Sequence, residues 1–381
     1  MSLQARTAAA DVVIVGAGIM GAMCAYELAS RGLSILVIDN GTGGATGAGM
    51  GHLVVMDDNP AELALSRYSI ALWNTLRKRL PEACAYRNCG TLWLAANDEE
   101  CGLAEAKQAR LVEYGAQSEW ISASALRQLE PMLRPDLAGA LKVFDDGILY
   151  APATARWLLH QQDGRITVQE GDVTRVEGNR LCLSEGGWLT APAILLANGL
   201  GAFRLLPDVP LRPKKGHLLI TDRYPACINH QLVELGYAAS AHADDGTSVA
   251  FNVQPRPTGQ LLIGSSRQFD TLDKRVEFDV LGRMLMRAQD YLPGLGELNA
   301  IRGWTGFRVA TPDGLPLLGQ HPDQPGLWLA LGHEGLGVTT ASGSARLIAA
   351  QLLGEAPPFD PAPFRTERFV GVASHTPGAA A

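Results

Sequence analysis

A glycine-rich turn near the amino terminus restricts the fold of this chain more than any other feature. Residues 11–39 read DVVIVGAGIMGAMCAYELASRGLSILVID. The apolar runs Val12–Val15 and Ile35–Ile38 predict two buried strands, and the residues between them predict a helix. A strand, a glycine-rich turn, a helix and a second strand that ends in an acidic residue, Asp39, are typical of a parallel sheet that binds a dinucleotide.

Each of the three glycines in the turn has a physical task in such a site. Gly16 permits a tight turn, Gly18 lets a pyrophosphate approach the backbone, and Gly21 lets the helix pack closely on the strand. The N–H groups at the helix start attract phosphate, and the Asp39 carboxylate can accept hydrogen bonds from ribose hydroxyls. A purely structural glycine turn is the alternative. The expected cofactor-binding residues here are Gly16, Ala17, Gly18, Ile19, Met20, Gly21, Asp39 and Asn40.

A second glycine-rich stretch follows this strand directly. Residues 41–51 read GTGGATGAGMG, with six glycines in eleven positions. A flexible linker is one interpretation; we favour a backbone that lies against the cofactor, because glycine permits close approach. His52 then either faces the reaction site or only hydrogen-bonds the loop. The expected cofactor contacts of this stretch are Ala45, Thr46, Gly49, Met50, Gly51 and His52.

Two later segments return to the same sheet. Val173–Val176 predicts a short strand beside the adenine end of a nucleotide, with Val173 as the contact. Leu189–Leu196 predicts a buried strand, and the small residues that end it suit a strand whose carboxyl end meets a cofactor. Those residues are Ala197, Asn198 and Gly199.

The last third carries a second dense group of glycine and polar residues. Residues 303–308 read GWTGFR, residues 311–316 read TPDGLP, and residues 331–340 read LGHEGLGVTT before a helix predicted over 341–353. A second glycine-rich loop that begins a helix predicts another electropositive site, suited to negative charge on a cofactor. The expected contacts here are Arg308, His333, Glu334, Gly335, Leu336, Gly337, Val338 and Thr339.

The middle of the chain supplies the rest of the predicted structure. Asn59 with Pro60 predicts a helix start, and residues 98–130 have a charged, amphipathic helical pattern. Over 211–300, short alternating runs separated by Gly, Pro and Asp predict an antiparallel sheet with one helix at 279–291.

Composition excludes several classes of protein. The chain has 381 residues, 47% hydrophobic and 19% charged, with a net charge of −7 and no basic run, so nucleic acid is excluded as a partner. The six cysteines form no C-x-x-C pair and no metal-binding spacing, which predicts buried thiols in a reducing compartment and no metal site.

We find no signal peptide and no run of about 18 apolar residues. We therefore expect a cytoplasmic protein without an integral membrane segment, and leave peripheral association with the inner membrane open.

In this order, the motifs resemble the D-amino acid oxidase and glycine oxidase superfamily of flavoproteins over about residues 10–365. The sequences of residues 49–58, GMGHLVVMDD, and of residues 332–341, GHEGLGVTTA, are most similar to those of the catalytic flavin subunits of bacterial multi-subunit amino-acid dehydrogenases. These include D-hydroxyproline dehydrogenase, opine dehydrogenases and hydrogen cyanide synthase, and we favour the D-hydroxyproline type.

The resemblance implies a mixed α/β fold with FAD as cofactor. It implies a Rossmann-like FAD-binding domain of the glutathione reductase type and a discontinuous antiparallel-sheet substrate domain that roofs the flavin. The predicted FAD-binding domain comprises residues 10–82, 146–210 and 301–368. The predicted substrate-binding domain comprises residues 83–145 and 211–300, with flexible termini at 1–9 and 369–381.

The resemblance also implies the reaction, in which a hydride passes from the α-carbon of an amino acid to flavin N5 and leaves an imine. Arg308 matches the position that grips the substrate carboxylate, an interdomain salt bridge being the alternative. Glu334 would contact a substrate ammonium or hydroxyl, or act as a helix-dipole partner. His52 and Tyr237 are further catalytic candidates, and Tyr150 and His242 further pocket candidates.

Two departures from related sequences bear on this picture. Glycine oxidase-like sequences carry an arginine where this chain has Gly335. Sarcosine oxidase-like relatives attach flavin through a cysteine near this loop, whereas here no cysteine lies beyond Cys227. The resemblance therefore predicts non-covalent FAD.

The leading functional hypothesis is a dehydrogenase of a D-amino or cyclic secondary amino acid such as cis-4-hydroxy-D-proline. It would work with further subunits or an electron acceptor protein. One alternative is a free-standing oxidase of glycine, sarcosine or D-amino acids that makes hydrogen peroxide. Another is a non-catalytic flavin electron-transfer subunit.

Overall fold

A computed structural model of the chain describes residues 6–236 and 246–369. Its strands, in chain order, are β1 Arg6–Thr7, β2 Val12–Val15, β3 Ile35–Asp39, β4 His52–Leu53, β5 Thr91–Ala95, β6 Ser118–Ser122, β7 Gly139–Val143, β8 Gly147–Ile148, β9 Ile166–Glu170, β10 Val173–Glu177, β11 Arg180–Leu183, β12 Trp188–Thr190, β13 Ala193–Leu196, β14 Arg212–Arg223, β15 Gln231–Glu234, β16 Ser248–Pro255, β17 Gln260–Phe269, β18 Ala300–Ala310, β19 Leu317–Gln320 and β20 Leu327–Leu331.

The helices of the same residues, in chain order, are α1 Ile19–Ser30, α2 Gly44–Ala48, α3 Pro60–Leu76, α4 Asp98–Glu113, α5 Ala123–Leu129, α6 Ala151–Leu159, α7 Ala202–Leu205, α8 Phe278–Tyr291 and α9 Gly337–Leu353. Short 3-10 turns cover Arg77–Arg79, Glu82–Cys84, Gly199–Gly201, Pro293–Glu297, Ala362–Phe364 and Thr366–Phe369. None of the helices in the described ranges combines the length and the hydropathy that a bilayer-spanning helix requires.

The described residues form two compact units. Unit 1 comprises residues 6–49, 151–213 and 307–369, and unit 2 comprises residues 50–150, 214–236 and 246–306. Residues 50–82 lie in unit 2, although the predicted FAD-binding domain included them. The structural reason is local, since β4 pairs with β8 inside unit 2. Which unit binds which ligand stays a prediction.

Unit 1 is built on a six-stranded sheet with the order β19-β20-β13-β2-β3-β9. The five strands from β20 to β9 are parallel, and β19 pairs antiparallel with β20 at one edge. All four residues of β2 and of β13 are buried, because a parallel sheet is covered on both faces. A second sheet, with the order β1-β12-β11-β10, completes the unit.

Unit 2 is built on an eight-stranded sheet with the order β18-β14-β17-β16-β15-β5-β7-β6. By the unit boundaries, β14 up to Pro213 and β18 from Phe307 onward belong to unit 1. Helix α8 covers one face, where Val280, Leu281 and Met284 are buried and the last two join the apolar core. Phe251 of β16 stacks on Tyr291 of α8 with ring centroids 4.5 Å apart. The predicted mixed α/β fold is confirmed, and the structure has a Rossmann-like parallel sheet and a large sheet in which most neighbouring strands are antiparallel.

Two local predictions were wrong. Residues 98–130 are not one helix, because α4 ends at Glu113, Gly115 has φ +72°, and β6 then pairs with β7. The single strand predicted over 189–196 is two strands, β12 and β13, in different sheets. The antiparallel sheet predicted over 211–300 is present in β14, β17, β16 and β15, and β15 has β5, from outside that range, as a parallel neighbour.

One helix start differs from the prediction and another agrees with it. Helix α9 begins at Gly337, four residues earlier than 341. Helix α3 begins as predicted, with the Asn59 side chain accepting a hydrogen bond from the N–H of Glu62 at 2.9 Å. This is the N-cap arrangement that satisfies a free N–H of the first turn.

Candidate active site

The carboxyl-terminal edge of the parallel sheet collects the predicted cofactor-binding residues of unit 1. Strands β20, β13, β2 and β3 are parallel neighbours and end at Leu331, Leu196, Val15 and Asp39. Their carboxyl ends therefore lie at the same edge. The two glycine-rich loops that begin α1 and α9 both leave the sheet here, which is the edge where parallel α/β sheets bind ligands.

The first loop requires glycine at both of its ends. Gly16 has φ +108°, and a Cβ added to it would lie 2.6 Å from the carbonyl oxygen of Ala197. A Cβ added to Gly21 would lie 1.9 Å from the carbonyl oxygen of Gly16. The loop thus packs backbone against backbone between the ends of β2 and β13.

The start of α1 carries no carboxylate that would compete with a bound anion. Gly18 stands at the N-cap without a side-chain cap, and the first turn contains no acidic residue. Thr46 from the second glycine-rich stretch lies beside it, where its Oγ1 accepts a hydrogen bond from the N–H of Ile19 at 2.9 Å. A Cβ added to Gly18 would lie 3.0 Å from that Oγ1. The positive end of the helix dipole is therefore not neutralised by a carboxylate of its first turn.

The carboxylate of Asp39 is held at the end of β3. Its Oδ2 accepts from the N–H of Ala17 at 2.7 Å, and its Oδ1 accepts from the N–H of Gly41 at 2.7 Å. Each carboxylate oxygen has a second lone pair. The side chain can therefore still accept hydrogen bonds from the hydroxyls of a ribose.

The predicted contact Asn40 belongs to a hydrogen-bonded group whose other members, Asp172 and Arg204, were not predicted. Asn40 Nδ2 donates to Asp172 Oδ1 at 3.2 Å, and Arg204 Nη2 donates to the same oxygen at 2.8 Å. The hydrogen bond from Arg204 lowers the pKa of Asp172. Arg204 Nη2 also donates to the carbonyl oxygen of Val173 at 2.6 Å, so this group ties the predicted adenine-side strand to the sheet.

The second glycine-rich loop makes a similar helix start. Gly332 has φ +76°, and a Cβ added to it would lie 2.5 Å from Thr311 Cγ2. Glu334 adopts a left-handed conformation with φ +47°, and its N–H donates to the carbonyl oxygen of Val309 at 3.0 Å. The first turn of α9 contains no acidic residue. This helix start is also suited to negative charge.

His333 stabilises this loop as a neutral side chain. Burial lowers the pKa of His333 to about 3. Its Nε2 lies 3.2 Å from Ser344 Oγ on α9. At neutral pH the imidazole is therefore uncharged and connects the loop to the helix that follows it.

Arg308 lies beside the second loop. Its side chain is half-buried near the end of β18. A Cβ added to Gly335 would lie 3.7 Å from Arg308 Nε and 3.9 Å from its Cδ. A Cβ added to Gly314 would lie 3.8 Å from Glu334 Oε2. The predicted carboxylate-binding residue and the predicted loop therefore occupy one part of unit 1.

The structure places three predicted cofactor contacts in unit 2, namely Met50, Gly51 and His52. Gly51 has φ +82°, and a Cβ added to it would lie 2.0 Å from the carbonyl oxygen of Leu149, so unit 2 itself requires this glycine. His52 hydrogen-bonds side chains of the large sheet, with Nδ1 next to Gln231 Oε1 and Nε2 3.0 Å from Asn252 Nδ2. The candidates Tyr237 and His242 lie outside the described residues.

The partners of His52 were missed in the sequence. Gln231, Asn252 and Gln254 are buried, and Arg256 continues the same row. A usable signal existed, because polar residues at 252, 254 and 256 alternate with Val253 and Pro255 along and just beyond a predicted strand. Such alternation marks a polar sheet face.

The residues of unit 1 fit FAD. The starts of α1 and α9 lack acidic residues, so both can bind the negatively charged groups of FAD. The Asp39 carboxylate can accept hydrogen bonds from the ribose hydroxyls of FAD. Asn198, just after the end of β13, has a buried Oδ1 without a hydrogen-bond partner among the described residues. An unpaired buried acceptor at a ligand-binding edge is expected where a ligand donor belongs.

Comparison with known proteins agrees with this site. The model of the family "DAO: FAD dependent oxidoreductase" matches residues 11–351. The chain is 28% identical to glycine oxidase of Geobacillus kaustophilus (strain HTA426), over 95% of this chain and 97% of the relative. It is 27% identical to hydrogen cyanide synthase subunit HcnC of Pseudomonas aeruginosa, over 94% and 96%.

A solved structure is similar over the same extent. The crystal structure of glycine oxidase from Geobacillus kaustophilus matches with a TM-score of 0.84 and 27% identity, over 96% of this chain and all of that chain. The superfamily and the cofactor predicted from the motifs are confirmed. The chain belongs to the DAO family of FAD-dependent oxidoreductases.

Proposed function

We propose that this chain is the catalytic flavin subunit of an amino-acid dehydrogenase. Its substrate is a D-amino or cyclic secondary amino acid, with cis-4-hydroxy-D-proline as the first candidate, and its product is the imine. Bound FAD supplies the acceptor for the hydride that leaves the α-carbon. The observation that carries the proposal is the position of Arg308 beside the loop that begins α9.

The cofactor is held by unit 1 in this proposal. The N–H groups of the Gly16–Gly21 loop and the start of α1 bind the pyrophosphate, and Asp39 accepts hydrogen bonds from the ribose. The start of α9 stabilises negative charge on the flavin ring. No cysteine follows Cys227 in the sequence, which supports non-covalent binding.

Arg308 positions the substrate through its carboxylate. A guanidinium can donate two parallel hydrogen bonds to one carboxylate, which fixes the orientation of the α-carbon as well as binding the charge. Hydride transfer needs accurate positioning more than acid–base groups. Glu334, three residues before the first residue of α9, is the candidate contact for the substrate ammonium or hydroxyl. A protein that only relayed electrons would not need such an arginine.

Two relatives support a multi-subunit enzyme. One is hydrogen cyanide synthase subunit HcnC, and the other is a subunit of the opine oxidase of Rhizobium meliloti. The opine oxidase relative is 28% identical over 94% of this chain. We propose that this chain likewise works with further subunits or with an electron acceptor protein.

A second candidate function is a free-standing oxidase that passes electrons to oxygen and releases hydrogen peroxide. The observation that favours it is the 28% identity to a glycine oxidase over 95% of this chain. The two candidates differ mainly in the electron acceptor.

A panel of amino acids added anaerobically to the yellow protein tests the proposal. Bleaching of the flavin by cis-4-hydroxy-D-proline or D-proline, but not by glycine or sarcosine, is expected. Slow reoxidation by air with rapid turnover of a dye acceptor supports the dehydrogenase. Peroxide release at the rate of imine formation supports the oxidase. A flavin that none of these amino acids reduces contradicts both.

A further inference from the structure

One group of buried and half-buried polar side chains in unit 2 has no role in the function proposed so far. We call Thr91, Gln231, Asn252, Gln254 and Arg256, together with His52, the His52 network. Val233 of β15 pairs with Asn252, and Leu232 pairs with Val253, so Gln231 lies on the face of the sheet that carries Asn252 and Gln254. The opposite face, with Leu232, Phe251 and Val253, forms the apolar core under α8.

Arg256 determines the direction of the hydrogen bonds in this network. A guanidinium only donates, and Arg256 Nη1 lies 3.4 Å from Gln254 Oε1. The Gln254 amide therefore turns its Nε2 toward His52 Nε2, 3.5 Å away. Because Nε2 of His52 faces a donor, it must accept, and the proton of the neutral ring lies on Nδ1. That N–H donates to Gln231 Oε1, and Gln231 Nε2 donates to Thr91 Oγ1 at 3.2 Å.

The orientation of Asn252 follows from the same reasoning. Its Nδ2 donates to the Nε2 of His52 at 3.0 Å. Its Oδ1 therefore points away from the imidazole. Asn252 is only 7% exposed, and this oxygen has no hydrogen-bond partner among the described residues.

The buried and unpaired Oδ1 of Asn252 requires a physical explanation. Leaving a buried acceptor unpaired destabilises a protein substantially, and native structures contain few such groups. An apolar residue of similar size would fill the same space without this loss. In addition, the amide is not free to turn and satisfy the oxygen, because Oδ1 would then face the lone pair of His52 Nε2. The arrangement therefore holds an acceptor ready for a donor that comes from outside the network.

We propose that Asn252 is a specificity-determining residue whose Oδ1 accepts a hydrogen bond from an N–H or O–H of the bound amino acid. The inference is drawn from unit 2 alone and rests on the proposed function only for the class of ligand. A secondary or primary amine carries such a donor, and so does a ring hydroxyl. A tertiary amine without a hydroxyl does not.

Two matched ligand pairs test the proposal with the FAD-loaded enzyme. Pyrrole-2-carboxylate and 2-furoate have the same shape, but only the first has an N–H. cis-4-Hydroxy-D-proline and D-proline differ only in the hydroxyl. Binding of the first pair is followed by the shift of the flavin spectrum, without turnover, and the second pair is compared by kcat/KM.

The wild-type enzyme is expected to prefer the donor-bearing member of at least one pair by about 3- to 10-fold, the effect of one neutral hydrogen bond. Asn252→Ala removes that preference. If the amine is the donor, the pyrrole-2-carboxylate preference is lost; if the hydroxyl is the donor, only the hydroxyproline preference is lost. Asn252→Asp, which retains an acceptor oxygen, keeps the preference.

The control is Gln268→Ala, which removes another amide of unit 2 whose buried Oε1 has no partner among the described residues. It should leave both ratios unchanged. A wild-type enzyme that prefers neither donor overturns the proposal, whatever the variants do. Equal ratios in wild type and Asn252→Ala also overturn it, since the oxygen would then bind only a structural water. Because the first titration needs no turnover, its outcome is separate from a failure of the proposed reaction.

Discussion

Arg308 is the residue on which the proposed chemistry depends most directly. Replacing it with Ala should lower kcat/KM by at least about 100-fold, because two charge-assisted hydrogen bonds of about 1.5–3 kcal/mol each are lost. FAD content and the thermal midpoint should stay near wild-type values. Steady-state kinetics with the best substrate of the panel measure the effect.

The control for this prediction lies on the same strand. Arg302 of β18 is exposed and lies over the ring of Trp304, 5.5 Å from its centroid. Arg302→Ala should leave kcat/KM within a few-fold of wild type. If Arg308→Ala instead unfolds the protein and abolishes its yellow colour, Arg308 acts mainly as a structural cation and the substrate assignment fails.

Asp146 of unit 2 offers a second prediction at the level of one side chain. It is 0% exposed, its Oδ1 accepts from the N–H of Val55 at 3.0 Å, and its Oδ2 has no partner among the described residues. Burial raises the pKa of Asp146 from 3.8 to about 7, against the lowering effect of Thr91, Val55 and Lys107. The nearby charge of Asp145 adds to the rise.

The sign of the resulting pH dependence follows from this raised pKa. The folded protein holds a proton that the unfolded chain has lost, so the free energy of unfolding falls as pH rises from 3.8 to about 7. Asp146→Asn removes this titration and keeps an acceptor for Val55. The free energy of unfolding of the variant, relative to that of wild type, should therefore rise by about 2–3 kcal/mol from pH 5 to pH 8. Urea denaturation at both pH values checks this, and a gain that does not change with pH would contradict the buried, protonated carboxyl.

At the scale of secondary structure elements, the turn from β2 into α1 is the part most tightly determined by its residues. A Cβ at position 21 would lie 1.9 Å from the carbonyl oxygen of Gly16, so Gly21→Ala must displace the loop or the helix. The variant should be isolated without FAD, and its midpoint of thermal unfolding should fall. Absorbance of the purified protein and a thermal melt measure both effects.

A glycine in an open position provides the comparison. Gly102 is exposed on α4, and an added Cβ would meet no atom within 4 Å. Gly102→Ala should leave FAD content unchanged and stabilise the protein by up to about 1 kcal/mol, since alanine is the better helix former. Equal FAD content in Gly21→Ala and Gly102→Ala would show that the loop before α1 does not bind the cofactor.

The elements that could be predicted from sequence are those with strong local signals. The buried strands β2 and β3, the glycine turn between them and the Asn59 cap each follow from a few neighbouring residues. The segment 114–122 could not be predicted in this way, because β6 is a strand only through its pairing with β7. The His52 network was missed for a related reason, since His52 and Asn252 meet only in the folded sheet.

On the scale of the whole molecule, membership of the DAO family implies that this chain binds FAD. The sequence has no cysteine beyond Cys227 that could attach the flavin covalently at the second loop. Acid precipitation should therefore release all of the yellow colour into the supernatant. The apoprotein should regain it with added FAD, and at 100 times the dissociation constant the cofactor should stabilise the fold by about 2.7 kcal/mol. Colour that remains with the precipitate would show a covalent bond.

The central claim is that this flavoenzyme selects its substrate through a carboxylate held by Arg308. It is tested most directly by anaerobic reduction of the bound flavin with D-proline and with pyrrolidine, which lacks only the carboxylate. We predict rapid bleaching of the wild-type flavin by D-proline and none by pyrrolidine, with Arg308→Ala losing the response to D-proline. Equal reduction by both compounds, or an Arg308→Ala variant that responds to D-proline like the wild type, would contradict the account.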